Sequence, residues 1–291
     1  MRKSRMRLTR VALLAVTAAA LGGASSASAL LLGEFTRFQQ CPWTNSTVEK
    51  CLYMASNGGT LALGNKKISI EKSIVLQGGL GEPVKGIAPM IAATNGVTLS
   101  KTPQNVPGGL LGLIPEGKQP WLVKSLIKFF VENTLTGVNA TVELAKSASS
   151  VEVGELNLLA AEGVALKLPL KLHFENPFLG RACYVGSSSA PVTWALTTGW
   201  TSPPAPNKPI GGAPGTSEFL EKSQILQLSG DELVDNSWAG PKVSGCGGGL
   251  DFLVDPIIEE QLGDTSAGHN SMTLKSTVSI ARAENVKAHN D

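Results

Sequence analysis

Between Val164 and Phe174 every even position is apolar, while the odd positions carry two lysines and a histidine. Val164, Leu166, Leu168, Leu170, Leu172 and Phe174 occupy the even positions, and Ala165, Lys167, Pro169, Lys171 and His173 the odd ones. Successive side chains of a strand point to opposite faces, so this stretch has one face for a core and one for water. A half-buried strand of this kind belongs to an antiparallel sheet. Pro169 has no N–H to give to a ladder, which predicts an edge position or a bulge. Asn176-Pro177 and Gly180 end the strand and turn the chain toward Cys183. A second strand follows over 192–198, with Val192, Trp194 and Leu196 on one face. The predicted fold is mainly β, a β-sandwich or barrel-like antiparallel sheet, with two or three helices.

The start of the chain points to export. Arg2, Lys3, Arg5, Arg7 and Arg10 precede an apolar run from Val11 to Leu21, and Ala27-Ser28-Ala29 fits the small-x-small cleavage pattern. Residues 1–29 are therefore predicted to be a signal peptide cleaved after Ala29. The apolar run is about half the roughly twenty residues a membrane span needs. Residues 30–291 are expected to form a single exported β-rich domain with a Pro/Gly-rich loop at 202–215. The chain holds 25 basic and 23 acidic residues. Without the five basic residues of the leader, 20 basic residues face 23 acidic ones, a net charge of −3. This balance gives no basic footprint for a nucleic-acid partner.

In an exported chain four cysteines read as two disulfides, and their spacing favours Cys41–Cys51 and Cys183–Cys246. A structural metal is the alternative, but there is no C-x-x-C and only three histidines are present. Neither metal nor cofactor is expected. The segment NPFLGRACYVGSSSAP, around Cys183, resembles secreted actinobacterial proteins of unassigned function. That resemblance implies secretion and a β-rich fold, and it carries over no catalytic residue.

Local signals fill in the remainder. Glu34–Gln40 is expected to be a short strand. Ser46 and Glu49 form a capping box that predicts a helix from Thr47 to the Asn57-Gly58-Gly59 stop. Further strands are predicted at 60–63, 67–77, 97–101, 138–146, 151–159, 225–228 and 272–282, with a helical unit at 256–262 and a frayed tail from Ala283. Pro107–Pro115 is an unusually apolar loop, and a helix is expected from about Gln119. Lys124, Lys128 and Glu132 make a narrow polar stripe on that helix, which predicts a core element for most of its length and an exposed loop before it. Should this region instead face a ligand, the apolar surface would comprise Leu110, Leu111, Leu113, Ile114, Trp121, Phe129 and Phe130.

No nucleophile elbow, H-E-x-x-H, Walker loop or dinucleotide fingerprint occurs. His173 is expected to be a solvated residue on a polar strand face, His269 lies in a turn and His289 in the tail. Asp231, Glu232 and Asp235, and separately Asp251 and Asp255, read as solvated acids. The expected function is that of an exported, disulfide-stabilised envelope or extracellular protein acting by binding or structure. Its partner would be an apolar small molecule or a lipid surface. The alternative is a secreted hydrolase using His173 or His269 in a spatial triad. N-terminal sequencing of secreted material is expected to begin at Leu30, and a start at Met1 would contradict the cleavage reading.

Overall fold

The structure is a computed structural model that describes residues 31–115, 117 and 119–289. The proposed leader lies outside the described residues. The first seven strands are β1 (Lys50–Leu63), β2 (Lys66–Ser69), β3 (Ile74–Leu80), β4 (Ala88–Ile91), β5 (Gln104–Asn105), β6 (Asn139–Leu144) and β7 (Glu152–Val153). The other seven are β8 (Leu166–Glu175), β9 (Tyr184–Val185), β10 (Val192–Leu196), β11 (Thr216–Leu220), β12 (Ile225–Asp235), β13 (Val243–Ser244) and β14 (Ser271–Arg282). Five α-helices accompany them: α1 (Gly109–Leu113), α2 (Trp121–Glu132), α3 (Glu155–Ala160), α4 (Asp251–Leu262) and α5 (Ala283–Ala288). The protein is therefore mainly antiparallel β with short helices. Among the described residues, no helix is long and apolar enough to cross a membrane.

The sheet runs β11-β12-β14-β1-β3-β4-β7-β8-β6-β5, and every pairing is antiparallel. It is sandwich-like, and the β3–β4–β7 succession carries the chain from one half to the other. A second tie joins the halves where Thr197 and Val234 exchange backbone hydrogen bonds of 3.0 and 2.9 Å. Leu52, Met54 and Leu274 of the first half meet Leu168, Leu170 and Trp194 of the second in a shared core.

β8 follows the alternation of its sequence, with Leu166, Leu168, Leu170, Leu172 and Phe174 all buried. Pro169 is not on an edge or in a bulge. Its carbonyl accepts from Ala145, on the side where β7 ends and β6 begins. A strand residue's N–H and C=O point the same way, so the missing donor falls in the gap between those two partners.

Several local expectations fail for non-local reasons. The helix predicted from Thr47 is instead the start of β1, which pairs with β14 on one side and with β2 and β3 on the other. Ser46 and Glu49 form no capping box. The Glu49 N–H donates to Leu80, and Asn45 Oδ1 caps a turn by accepting from the Thr47 amide and hydroxyl. Residues 33–38 form a 3₁₀ helix that buries Phe35 and Phe38, three apart as that helix requires. The strand expected over 151–159 stops at Val153 and gives way to α3. The expected frayed tail is α5, whose Ala283 and Val286 pack with Leu31, Phe35 and Phe38 in a second, smaller core. The Cys41–Cys51 bridge lies in that cluster, and Cys183–Cys246 ties the approach to β9 to the approach to α4. The 202–215 loop is extended but pinned: Asn207 Nδ2 donates to the carbonyls of Asn236 (2.8 Å) and Asn270 (2.9 Å).

The Asn57-Gly58-Gly59 run does not end an element; it bends β1 at a bulge between Ser56 and Gly58. Gly59 has φ +134°, and a Cβ there would lie 2.0 Å from the Thr273 carbonyl oxygen, so the close β1–β14 approach needs glycine. A second bulge, in β12 between Ser229 and Asp231, sets Asp231 opposite Ser276, which in turn lies opposite Ser56. Ser56 and Ser276 share a 2.8 Å hydrogen bond, and all three side chains are buried. Asp231 is not a solvated acid. Its Oδ1 accepts from the Gly215 amide, while its Oδ2 is buried and has no partner. Burial therefore holds its carboxyl above the usual carboxylate range, against the opposing pull of the Gly215 N–H.

The folded chain thus keeps the Asp231 proton to higher pH than the unfolded chain does. Its contribution to stability is present below the ordinary carboxylate range and is lost as pH rises through the folded value. Asp231→Asn keeps the acceptor for Gly215 and removes the charge. It is expected to raise Tm near neutral pH by a few degrees, the response to about 1 kcal/mol in a chain of this length. It should also flatten the pH dependence of Tm. Thermal melts showing a lower Tm for the asparagine variant at neutral pH would refute this account.

Candidate apolar ligand site

The Pro107–Pro115 stretch is not an exposed loop. Val106 N–H donates to the Val138 carbonyl and Leu110 N–H to Thr136, which stitches the start of α1 to the approach to β6. Gly109 (φ +52°) permits the contact, since a Cβ there would lie 2.3 Å from the Thr136 oxygen. Leu110, Leu113 and Ile114 are fully buried, so three of the four aliphatics expected on a presented surface belong to the core. Leu111 is half-buried. The i, i+3, i+4 spacing of Leu110, Leu113 and Ile114 is the signal that marks one face of a turn of helix here.

The helix that follows departs from expectation in the opposite sense. α2 begins where Pro120 predicts, with Pro120 as its N-cap in extended backbone. Only Val123 and Ile127 on it are buried, while Leu126, Phe130 and Val131 pack partly against the core. Trp121 is 78 % exposed and Phe129 56 %. The helix therefore rests on a narrow apolar seam rather than being enclosed. The sequence expectation counted apolar residues around the axis, and that count does not say which of them find a neighbour.

A run of aromatic edges leads inward from this surface. Phe129 meets Phe130 edge-on at 5.6 Å, and Phe130 meets Phe178 at 5.5 Å in the turn after β8. Asn176, buried, fixes the same turn: its Nδ2 donates to the carbonyls of Leu135 and Gly137, and its Oδ1 accepts from Phe178. Read as a simple strand breaker, Asn176 gives no sign of this anchoring. Beside α2, a cavity of about 260 Å³ is lined by Pro115, Gln119, Lys124, Ile127 and Lys128. Gln119 Nε2 donates to the Pro115 carbonyl at 3.1 Å along its wall. Lys128 pairs loosely with Glu132 at 3.7 Å.

Comparison with family models, with curated proteins and with solved structures finds no match. The site must therefore be judged on its own chemistry.

The histidines give a second cluster to weigh. His173 is not solvated; its side chain is 14 % exposed and stacks on Tyr184 with ring centroids 4.3 Å apart. Its Nδ1 lies 3.6 Å from Glu143 and 3.8 Å from Glu175, and its Nε2 is buried without a partner. Burial raises Glu143, but the ammonium groups of Lys171 (3.2 Å) and Lys101 (3.3 Å) outweigh it and hold the carboxyl below its ordinary value. The nearby Thr141 hydroxyl donates to Glu175, not to the imidazole. His269 has Ser266 Oγ 3.1 Å from Nδ1 and Asp264 3.4 Å from Nε2. All three belong to one exposed turn. Asp264 takes hydrogen bonds from the Ser266 hydroxyl and amide, which with His269 hold it below the usual range. The serine hydroxyl thereby serves the carboxylate, whereas a nucleophile must give its proton to the base.

These placements separate two roles on α2. Ile127→Ala is expected to destabilise the fold by about 2–5 kcal/mol through lost burial and a cavity. Phe129→Ala, mostly in water, should cost less than about 1 kcal/mol. Urea unfolding of the two variants decides the matter, and a larger loss for Phe129→Ala would place α2 back in the core.

Proposed function

We propose that this chain is an exported, disulfide-stapled protein that acts by binding an apolar ligand at the α2 face. The observation that carries the reading is the exposure of Trp121 and Phe129 on a helix already anchored through Val123 and Ile127. Large aromatics in water carry a hydration cost that the fold does not require, and such surfaces recur where a partner covers them. The two cystines are compatible with an oxidising, extracytoplasmic location. The basic, apolar and small-residue order of residues 1–29 supports export, as does the resemblance of residues 176–191 to secreted actinobacterial proteins. Leu31, two residues beyond the proposed cleavage point, is fully buried, and its N–H donates to Gln39 Oε1 at 2.8 Å. The folded body thus takes up the chain close to where cleavage would leave it.

A neutral apolar dye such as N-phenyl-1-naphthylamine is expected to brighten on binding the folded protein. The Trp121→Ala/Phe129→Ala double variant should lose most of that response while keeping its Tm. An unchanged dye response in a folded double variant would remove α2 from the binding site.

A further inference from the structure

We infer that the cavity beside α2 takes the chain of a monomeric, single-chain anionic amphiphile, such as a long-chain carboxylate, and that Lys124 and Lys128 receive its head group. This inference rests on the apolar-ligand reading above and adds the charge and shape of the ligand. The cavity wall includes Ile127, 3 % exposed, and Pro115, which together give an apolar floor and side. The two lysines that line it lie four residues apart, on one side of the helix and within reach of a common anion. Among the described residues Lys124 makes no ion pair, and the Glu132 partner of Lys128 stands 3.7 Å away with both side chains largely in water. An exposed pair of that kind is worth little and yields readily to a better acceptor.

The lysine pair is a local feature, because the chain beyond the proposed leader carries more acids than bases. The two ammonium groups favour an anion at this rim. The volume, about 260 Å³, lies just below the usual range for ligand pockets. It suits one flexible chain better than a two-chain lipid or a ligand of several fused rings. A cationic amphiphile of equal length would gain the same apolar contacts and meet two ammonium groups at the mouth.

Calorimetric titration of the mature, disulfide-bonded chain with dodecanoate, kept below its micellar concentration, tests the inference. One molecule is expected to bind per chain, with dodecyltrimethylammonium at least about tenfold weaker. The Lys124→Glu/Lys128→Glu variant changes only exposed side chains and should invert that preference. Equal affinity for the two detergents, or an unchanged preference in the variant, would overturn the assignment of the lysines. Binding to phosphatidylglycerol vesicles with no binding of monomeric dodecanoate would overturn the cavity and move the same head-group chemistry to a bilayer. In each of these failures the neutral-dye response of the Trp121/Phe129 variant still reports on the apolar face separately, so failure of the inference is distinguishable from failure of that reading.

Discussion

The ladder between β1 and β14 is the constraint on which the rest of the molecule depends. It runs from Lys50 opposite Arg282 to Ala62 opposite Ser271, joining segments more than two hundred residues apart. β1 is also paired along its other edge, locally with β2 across a tight hairpin and further on with β3, so both of its edges are satisfied within the sheet. The elements at the ends of this ladder consolidate it. Cys51 lies in β1 opposite Ala281 and is bonded to Cys41, while α5 leaves β14 directly and returns Val286 to the cluster around Phe35 and Phe38. Arg37 crosses the outer side of the sheet, donating to Gln227 at 2.8 Å and to Ser279 at 2.7 Å. The N-terminal and C-terminal segments are thereby held together over one face of the same strand pair.

This dependence explains which features were legible in the sequence. β8 was readable because apolar residues fill every second position and its register puts every leucine inward. The start of α2 was readable to within two residues because Pro120 marks it. The cystine pairs followed from spacing. The Ser46–Glu49 capping box misleads because a cap is worth about 1 kcal/mol, less than a doubly paired strand gains by joining the sheet. The 3₁₀ helix at 33–38 and α5 were missed for a related reason. Each is too short to be stable alone and exists by packing on the other, so neither carries a strong local signal.

The outer face of the sheet shows the same limit for charge. From sequence, Lys171 and His173 are simply the polar side of a strand. In the fold, Lys171 lies opposite Glu143 and His173 lies between Thr141 on β6 and Tyr184 on β9. Lys171 Nζ also sits 4.2 Å from the Tyr184 ring centroid. Cross-strand neighbours of this kind contribute roughly 0.2–1 kcal/mol each, and their identity depends on register with strands that local patterning does not fix. Among the described residues the imidazole is stacked on Tyr184, is flanked by two carboxylates and has no hydroxyl or thiol hydrogen-bonded to either ring nitrogen. These contacts tie β8 to the strands beside it.

The helical end of the molecule follows a different logic from the sheet. α1 buries Leu110 and Leu113 in the core and is bound to the approach to β6 by backbone hydrogen bonds. It offers a firm base and contributes little surface. α2 stands on that side of the fold through Val123, Ile127 and the Phe130–Phe178 contact, and Asn176 fixes the turn that carries Phe178. None of these anchors uses Trp121, Phe129, Lys124 or Lys128. On the function proposed above, this exposed side is where the apolar ligand would sit. The anchoring face of α2 and its exposed face are carried by different residues, so changes at Trp121 or Phe129 leave the contacts of Val123 and Ile127 that keep the helix in place untouched.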